Sequence, residues 1–141
     1  MTDQTEAQAF PPMPPAKGGV CPYLTVQGAI AAARFYEKAF AAETAFAVPP
    51  DEQGRTMHVH LYINDSSVML CDPYPEHGHP YEGSKGFTVQ LHVDDADQWA
   101  NRAIAAGCTV ATPVQDMFWG DRWGSVVDPY GFHWAFNAPR K

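Results

Sequence analysis

Long apolar runs are missing from this chain. No stretch approaches the roughly 18 residues of a spanning helix, and the first residues carry no apolar core of a leader. The sequence is therefore read as having neither membrane anchor nor signal peptide. Positive charge is scarce as well: nine Lys and Arg stand against sixteen Asp and Glu, a formal net charge of -7. Nucleic acid and anionic membrane surfaces attract basic patches, so neither is expected as a partner. Cysteine is sparse. Cys21, Cys71 and Cys108 lie far apart and form no CxxC pair. An odd number cannot close fully into bridges, which points to a reduced, cytoplasmic protein. There is no GxSxG, no phosphate-binding glycine loop and no dinucleotide fingerprint, so no cofactor is expected from motifs. Carboxylates paired for acid and base work are not evident either.

What is present is one domain's worth of chain, 141 residues with 45% apolar and 18% charged. Pro11, Pro12, Pro14 and Pro15 block regular pairing near the start, and Gly18-Gly19 is a soft hinge. Residues 1–19 are expected to be a disordered Pro-rich tail, with an arm laid across a partner subunit as the sharper alternative. From 20 onward the pattern predicts a strand over 20–26, a helix over 28–42 and a short strand over 44–48. Strands over 56–63 and 66–72 flank Asn64-Asp65, a good two-residue hairpin turn. Residues 73–86 are rich in Pro, Gly and charge and are read as a linker or pocket lid. A strand over 87–93, a helix over 94–106 and strands over 109–114, 116–127 and 132–137 follow, with Asp128-Pro129-Tyr130-Gly131 as a turn. Strand, helix and three strands are thus stated twice. Leu24-Thr25-Val26 and Leu91-His92-Val93 correspond at an offset of 67. Neither half buries enough surface to stand alone, but two halves could share one curved sheet whose inner face holds a ligand.

The hairpin turn fixes which residues share a face. Ile63 falls opposite Ser66, His60 opposite Met69 and His58 opposite Cys71. His58, His60, Tyr62, Ser67, Met69 and Cys71 then form a mixed face, the candidate cavity wall. Val59, Leu61, Val68 and Leu70 form an aliphatic face that should pack under the helices. By the same parity Thr88, Gln90 and His92 oppose Phe87, Val89, Leu91 and Val93. His58 and His60 are two apart on a strand, so both imidazoles could reach one metal, with His92 and His133 adding to them. A polar wall or a hydrogen-bonded pair is the plainer reading. His77 and His79 are read as solvated. Asp94, Asp95 and Asp97 suit a helix start. Cys21 and Cys71 should face inward without an activating base. In Met117-Phe118-Trp119-Gly120-Asp121-Arg122-Trp123-Gly124, glycines suggest bends or close backbone approach. Asp121 and Arg122 must point to opposite faces, so one of them meets the cavity or an interface.

Val114 to Arg122, followed by Asp128-Pro129-Tyr130-Gly131-Phe132-His133-Trp134, resembles the vicinal oxygen chelate superfamily. That is the glyoxalase, bleomycin-resistance and extradiol dioxygenase group, and the PhnB-like branch is the nearest pattern. Pro22-Tyr23-Leu24-Thr25-Val26 with Phe35-Tyr36 also fits, as does Met69-Leu70 followed by Asp72. The resemblance spans roughly 20–138. It implies an α+β fold of paired βαβββ modules, about 20–72 and 87–138, joined by a linker over 73–86. The modules form a cupped, mostly antiparallel sheet in a single domain, usually within a homodimer. It also implies four inward metal ligands in the metal-dependent members. Carried onto this chain, those positions fall on Cys21, about Met69, Thr88 and Ala135. These do not make a hard-metal site, so the usual metal centre is expected to be absent.

The expected function is metal-free binding of a small, partly aromatic ligand in the sheet cavity. The candidate contacts are His58, His60, Tyr62 and Met69 from the first module and Thr88, Gln90 and His92 from the second. Phe118, Trp119, Arg122 and His133 complete the set. An enzyme of the lyase or dioxygenase type with a relocated His site is one alternative. A ligand-free interaction scaffold is the other. No glycine loop for S-adenosylmethionine is visible, so a methyltransferase reading is not adopted.

Overall fold

A computed structural model describes residues 12–141. The expectation of a disordered tail lies outside the described residues for 1–11. Residues 12–19 have no regular secondary structure but are held in place. Tyr62 Oη donates to the Pro15 carbonyl at 2.6 Å, and Lys17 N–H donates to Ser67 Oγ at 2.8 Å. The Lys17 ammonium sits 4.2 Å from the Tyr62 ring centre and pairs with Asp65.

The first module runs β1 (Tyr23–Thr25), α1 (Ala29–Phe40), β2 (Glu43–Ala47), β3 (Val59–Ile63) and β4 (Ser66–Cys71). The second runs β5 (Val89–His92), α2 (Ala96–Ala106), β6 (Thr109–Asp116), β7 (Asp121–Val127) and β8 (His133–Pro139). Each module makes one four-stranded sheet, in the orders β1-β4-β3-β2 and β5-β8-β7-β6. The identical order is the structural form of the sequence repeat. In each sheet the first strand lies parallel to the last, and the other pairs are antiparallel. The fold is α+β with paired βαβββ modules, as expected. The two sheets are separate, because no described strand of one module forms a ladder with the other.

Local chemistry explains the element ends. Asn64 and Asp65 both take positive φ, 51° and 61°, giving the tight turn that sets Ile63 against Ser66 and His60 against Met69. The Asp72 carboxylate accepts from the amides of Gly28 and Ala29 at the start of α1 and from Thr56. An anion there suits the positive end of the helix dipole. Asp95 caps α2 by accepting from Gln98 N–H, and Gly107 ends it. Gly124 is the close approach that its motif suggested: a Cβ there would lie 2.6 Å from a Val114 methyl.

The core fills the helix side of both sheets. Val59, Leu61, Val68 and Leu70 pack below α1, as parity predicted, and Ile63 joins them in the core. Tyr36 and Phe40 of α1 reach across to Trp134 and Phe136 of β8, with the Phe40 and Trp134 ring centres 4.4 Å apart. One core thus spans both modules. Each fully buried aliphatic side chain adds about 1.5–3 kcal/mol. That packing leaves the other face of each sheet free for function.

Candidate functional site

The free face of the first sheet carries the residues that alternate with the core set. On β3 and β4 these are His60, Tyr62, Ser67, Met69 and Cys71. Parallel pairing of β1 with β4 sets Tyr23 beside Met69 and Thr25 beside Cys71. His60 is 3% exposed, and its Nε2 lies 2.7 Å from Ser67 Oγ. His58 Nδ1 lies 2.8 Å from Tyr23 Oη. The two imidazole centres are 6.5 Å apart, so each ring serves a different hydroxyl rather than a shared point. Burial holds both imidazoles below their ordinary pKa, and the neighbouring His58 lowers His60 further. Burial also pushes the Tyr23 phenol up. Around neutral pH this face presents neutral donors and acceptors.

The second sheet presents Gln90 and His92 on β5, opposite Ala135 and Asn137. Their side chains approach to 3.5 Å. Trp123 shares that face and donates its indole N–H to Gln90 Oε1 at 3.0 Å. Trp119 lies 6.2 Å from the Trp123 ring and reaches Asn137 Oδ1. Asp121, the neighbour that meets the open face, accepts from Asn137 Nδ2.

Trp119 lines neither cavity, and three further candidates are placed away from them. Arg122 points to the helix side, where its guanidinium makes two hydrogen bonds to Asp97 of α2 and a third to Asp116. Two carboxylates on that side hold it there, and the arginine keeps the Asp97 carboxyl below its usual range. Phe118 occupies the β6–β7 turn and is 94% exposed. His133 begins β8 opposite Val127, exposed to solvent.

The two faces meet in a cleft of about 550 Å³ between β1 and β5. Cys21, Tyr23 and Ser67 line one side, and Thr88, Gln90 and His92 the other. Ile63, Val68 and Leu91 supply apolar floor. Of the candidates, Thr88, Gln90 and His92 line the cleft directly. His58 and His60 act one layer back, through Tyr23 and Ser67. Tyr62 and Met69 lie on the same sheet face without lining the cleft. A second cavity of about 400 Å³ opens at the other end of β1, lined by Tyr23, Thr25, Met57, Cys71, Tyr74, His77 and His79. Tyr23 borders both. Alternation along a strand over 20–26 puts Tyr23 and Thr25 on one face. The placing of Trp123 needed the β7 register. His79 had no sequence signal. The loop after β4 brings it to the cavity rim through a bridge between Tyr74 and His79, and the residue stays exposed to solvent, in line with its reading as solvated.

The four positions that the resemblance assigns to metal ligands, Cys21, Met69, Thr88 and Ala135, carry side chains poorly suited to a hard metal ion. Ala135 has no donor atom, and Thr88 is a poor ligand. Met69 offers only a soft thioether, and burial pushes the Cys21 thiol up, away from the thiolate that binds metal. Among the described residues no three His, Cys, Asp or Glu side chains are grouped to hold a metal ion.

Comparison with known proteins places this geometry. The chain is 42% identical over 125 residues to the uncharacterized protein Rv0887c of Mycobacterium tuberculosis, covering 84% of this chain and 72% of that one. The crystal structure of protein PA1353 from Pseudomonas aeruginosa superposes with TM-score 0.68 at 28% identity, over 86% of this chain and 98% of that one. The structure of TioX from Micromonospora sp. ML1 gives 0.69 at 25% identity, over 87% and 99%. The Glyoxalase/Bleomycin resistance protein/Dioxygenase superfamily model matches residues 21–136. With twin βαβββ modules folded around one core and matched over nearly the whole body, the chain belongs to the glyoxalase/bleomycin resistance protein/dioxygenase superfamily.

Proposed function

We infer that this chain is a small-molecule-binding member of its superfamily that works without the four-ligand metal centre. The observation that carries this reading is the cleft of about 550 Å³ between β1 and β5. Its size falls in the range of small-molecule sites, which are mostly apolar with a few placed polar groups. Here the polar groups are the Tyr23 phenol, the Ser67 hydroxyl and the amide of Gln90, and each is held by a partner: His58, His60 and Trp123. Fixed donors and acceptors above an apolar floor suit a compact, partly aromatic molecule with polar substituents. The reading includes a homodimer and a cytoplasmic setting.

The test is titration of purified protein with planar aromatic drugs, read by tryptophan fluorescence, alongside elemental analysis. Saturable quenching of metal-free protein, weakened on replacing Gln90 with Ala, supports the reading. A stoichiometric transition metal would favour an enzyme with a relocated site. Metal-free protein that binds nothing across a broad thermal-shift screen would favour a scaffold. Size-exclusion chromatography with light scattering tests the dimer.

A further inference from the structure

The cavity at the far end of β1 is built differently from the cleft. Cys71, the last residue of β4, faces it beside Thr25 of β1. His79 is folded in over the pair. Its backbone pairs with Tyr74, whose ring is covered by the Arg55 guanidinium at 4.3 Å, and Arg55 in turn pairs with Glu76 at 2.8 Å. The His79 backbone is therefore held by an anchored turn, and its exposed side chain lies at the cavity rim. Cys71 Sγ lies 3.8 Å from His79 Nε2, Thr25 Oγ1 lies 3.4 Å from the same nitrogen, and Thr25 Oγ1 lies 3.9 Å from Cys71 Sγ. Thiol, imidazole and hydroxyl form a closed triangle on the wall of a space of about 400 Å³. Tyr23, Met57, Tyr74 and His77 supply the rest of that wall, a surface suited to a flat, mostly apolar molecule.

The other two cysteines lack this arrangement. The Cys21 thiol donates to the Pro22 carbonyl and has no imidazole beside it among the described residues. Cys108 is buried in the core, and burial pushes its thiol up to about 12. The carboxylate next to Cys71, Asp72, is occupied with the amides of Gly28, Ala29 and Thr56. That leaves His79 as the proton acceptor in reach of Cys71.

We propose that Cys71 is a nucleophile served by His79, and that this cavity captures small electrophiles bearing a carbon–carbon double bond conjugated to a carbonyl. The Cys71 S–H bond breaks and its proton passes to His79 Nε2. The sulfur forms a bond to the β carbon, and the double-bond pair moves to the α carbon. The α carbon then takes a proton back from the imidazolium. The addition needs no oxidant, metal or leaving group. The Thr25 hydroxyl shares Nε2 with the thiol and can donate to the Cys71 sulfur as charge develops on it. Burial pushes the Cys71 thiol up, so it stays protonated at rest and needs a base within reach to take its proton as it attacks, the place His79 occupies. This assignment stands apart from ligand binding in the cleft, and either can fail without the other.

The full chain is treated with N-ethylmaleimide, and adduct formation at each cysteine is followed by peptide mass spectrometry. The folded protein is expected to react at Cys71. In His79→Gln that rate should fall about fivefold or more, while Cys21 keeps its own rate. A variant loosened by the substitution would expose both thiols and raise both rates, so a fall confined to Cys71 reports the lost base. Cys71→Ser should abolish the adduct on that peptide and leave Cys21 unchanged. A fall below fivefold in His79→Gln, or alkylation of Cys71 only after unfolding in urea, would overturn the assignment.

Discussion

The phenol of Tyr36, in the first helix, donates a hydrogen bond to the Asp128 carboxylate 92 residues later, in the turn between the last two strands. That carboxylate also accepts the Trp134 indole N–H and the amides of Tyr130 and Phe132. The bond ties the two modules at the centre of their shared core. Tyr36→Phe removes one donor from a buried acceptor and should cost about 1–3 kcal/mol. Asp128→Ala strands several buried donors together and should cost about 3–5 kcal/mol, enough to threaten folding. Urea denaturation followed by circular dichroism gives both numbers. Equal, small losses would mean that the modules do not depend on this link.

Stability should fall on mild acidification. His58 and His60 have pKa values below their ordinary 6.5 in the folded state, because burial opposes their charged form. The unfolded chain then binds more protons than the native one as pH drops below the ordinary value. The stabilisation is complete above about 6.5 and is lost as pH falls toward the depressed folded values. Urea midpoints measured from pH 7.5 to pH 5 should decline, and His58→Gln with His60→Gln together should flatten part of that slope. An unchanged slope in the double variant would refute the account.

Gly124 has Val114 packed where a side chain would start. Its Cβ would meet Val114 backbone atoms at 2.8 and 2.9 Å, which cannot swing aside as a side-chain tip could. Gly124→Ala should therefore cost about 1–3 kcal/mol by forcing β6 and β7 apart. Gly120→Ala, in the open turn, should cost less, through its positive φ of 103° alone. Thermal melts of the two variants decide the order.

Ligand binding in the cleft should separate Gln90 from Arg122. Gln90→Ala deletes a lining amide and frees the Trp123 indole, so quenching by an aromatic titrant should weaken about tenfold. Arg122→Gln breaks the pairing with Asp97 on the opposite side of the sheet. It should leave quenching unchanged and lower the melting temperature slightly, by less in high salt. Isothermal titration on both variants tests the contrast, and loss of binding in Arg122→Gln would place the guanidinium in the site after all.

Much of this was legible along the chain. Apolar periodicity marked both helices and most strands, since a face packed in the core must repeat at the period of its element. The Asn64-Asp65 turn fixed the β3–β4 register, and parity then told His60 and Met69 from Leu61 and Leu70. The repeat announced itself through Leu24 and Leu91, because equivalent first strands need the same buried leucine beside the last strand. The choice between Asp121 and Arg122 was not legible. Alternation says only that they diverge, and which one faces the helix depends on Asp97 waiting there. The joining of the halves was not legible either. It comes from Tyr36 and Phe40 crossing to Trp134, a contact between residues distant in sequence.

The sequence by itself determined the repeated modules and the polar and apolar sides of each strand. Those properties are local: they depend on side-chain chemistry and on the two- and 3.6-residue periods of the backbone. Only the tertiary structure decided that β1 and β5 border a common cleft, that His58 and His60 each serve a separate hydroxyl, and that His79 closes over Cys71. These depend on how loops and core aromatics bring distant segments together, and no spacing along the chain encodes such a distance.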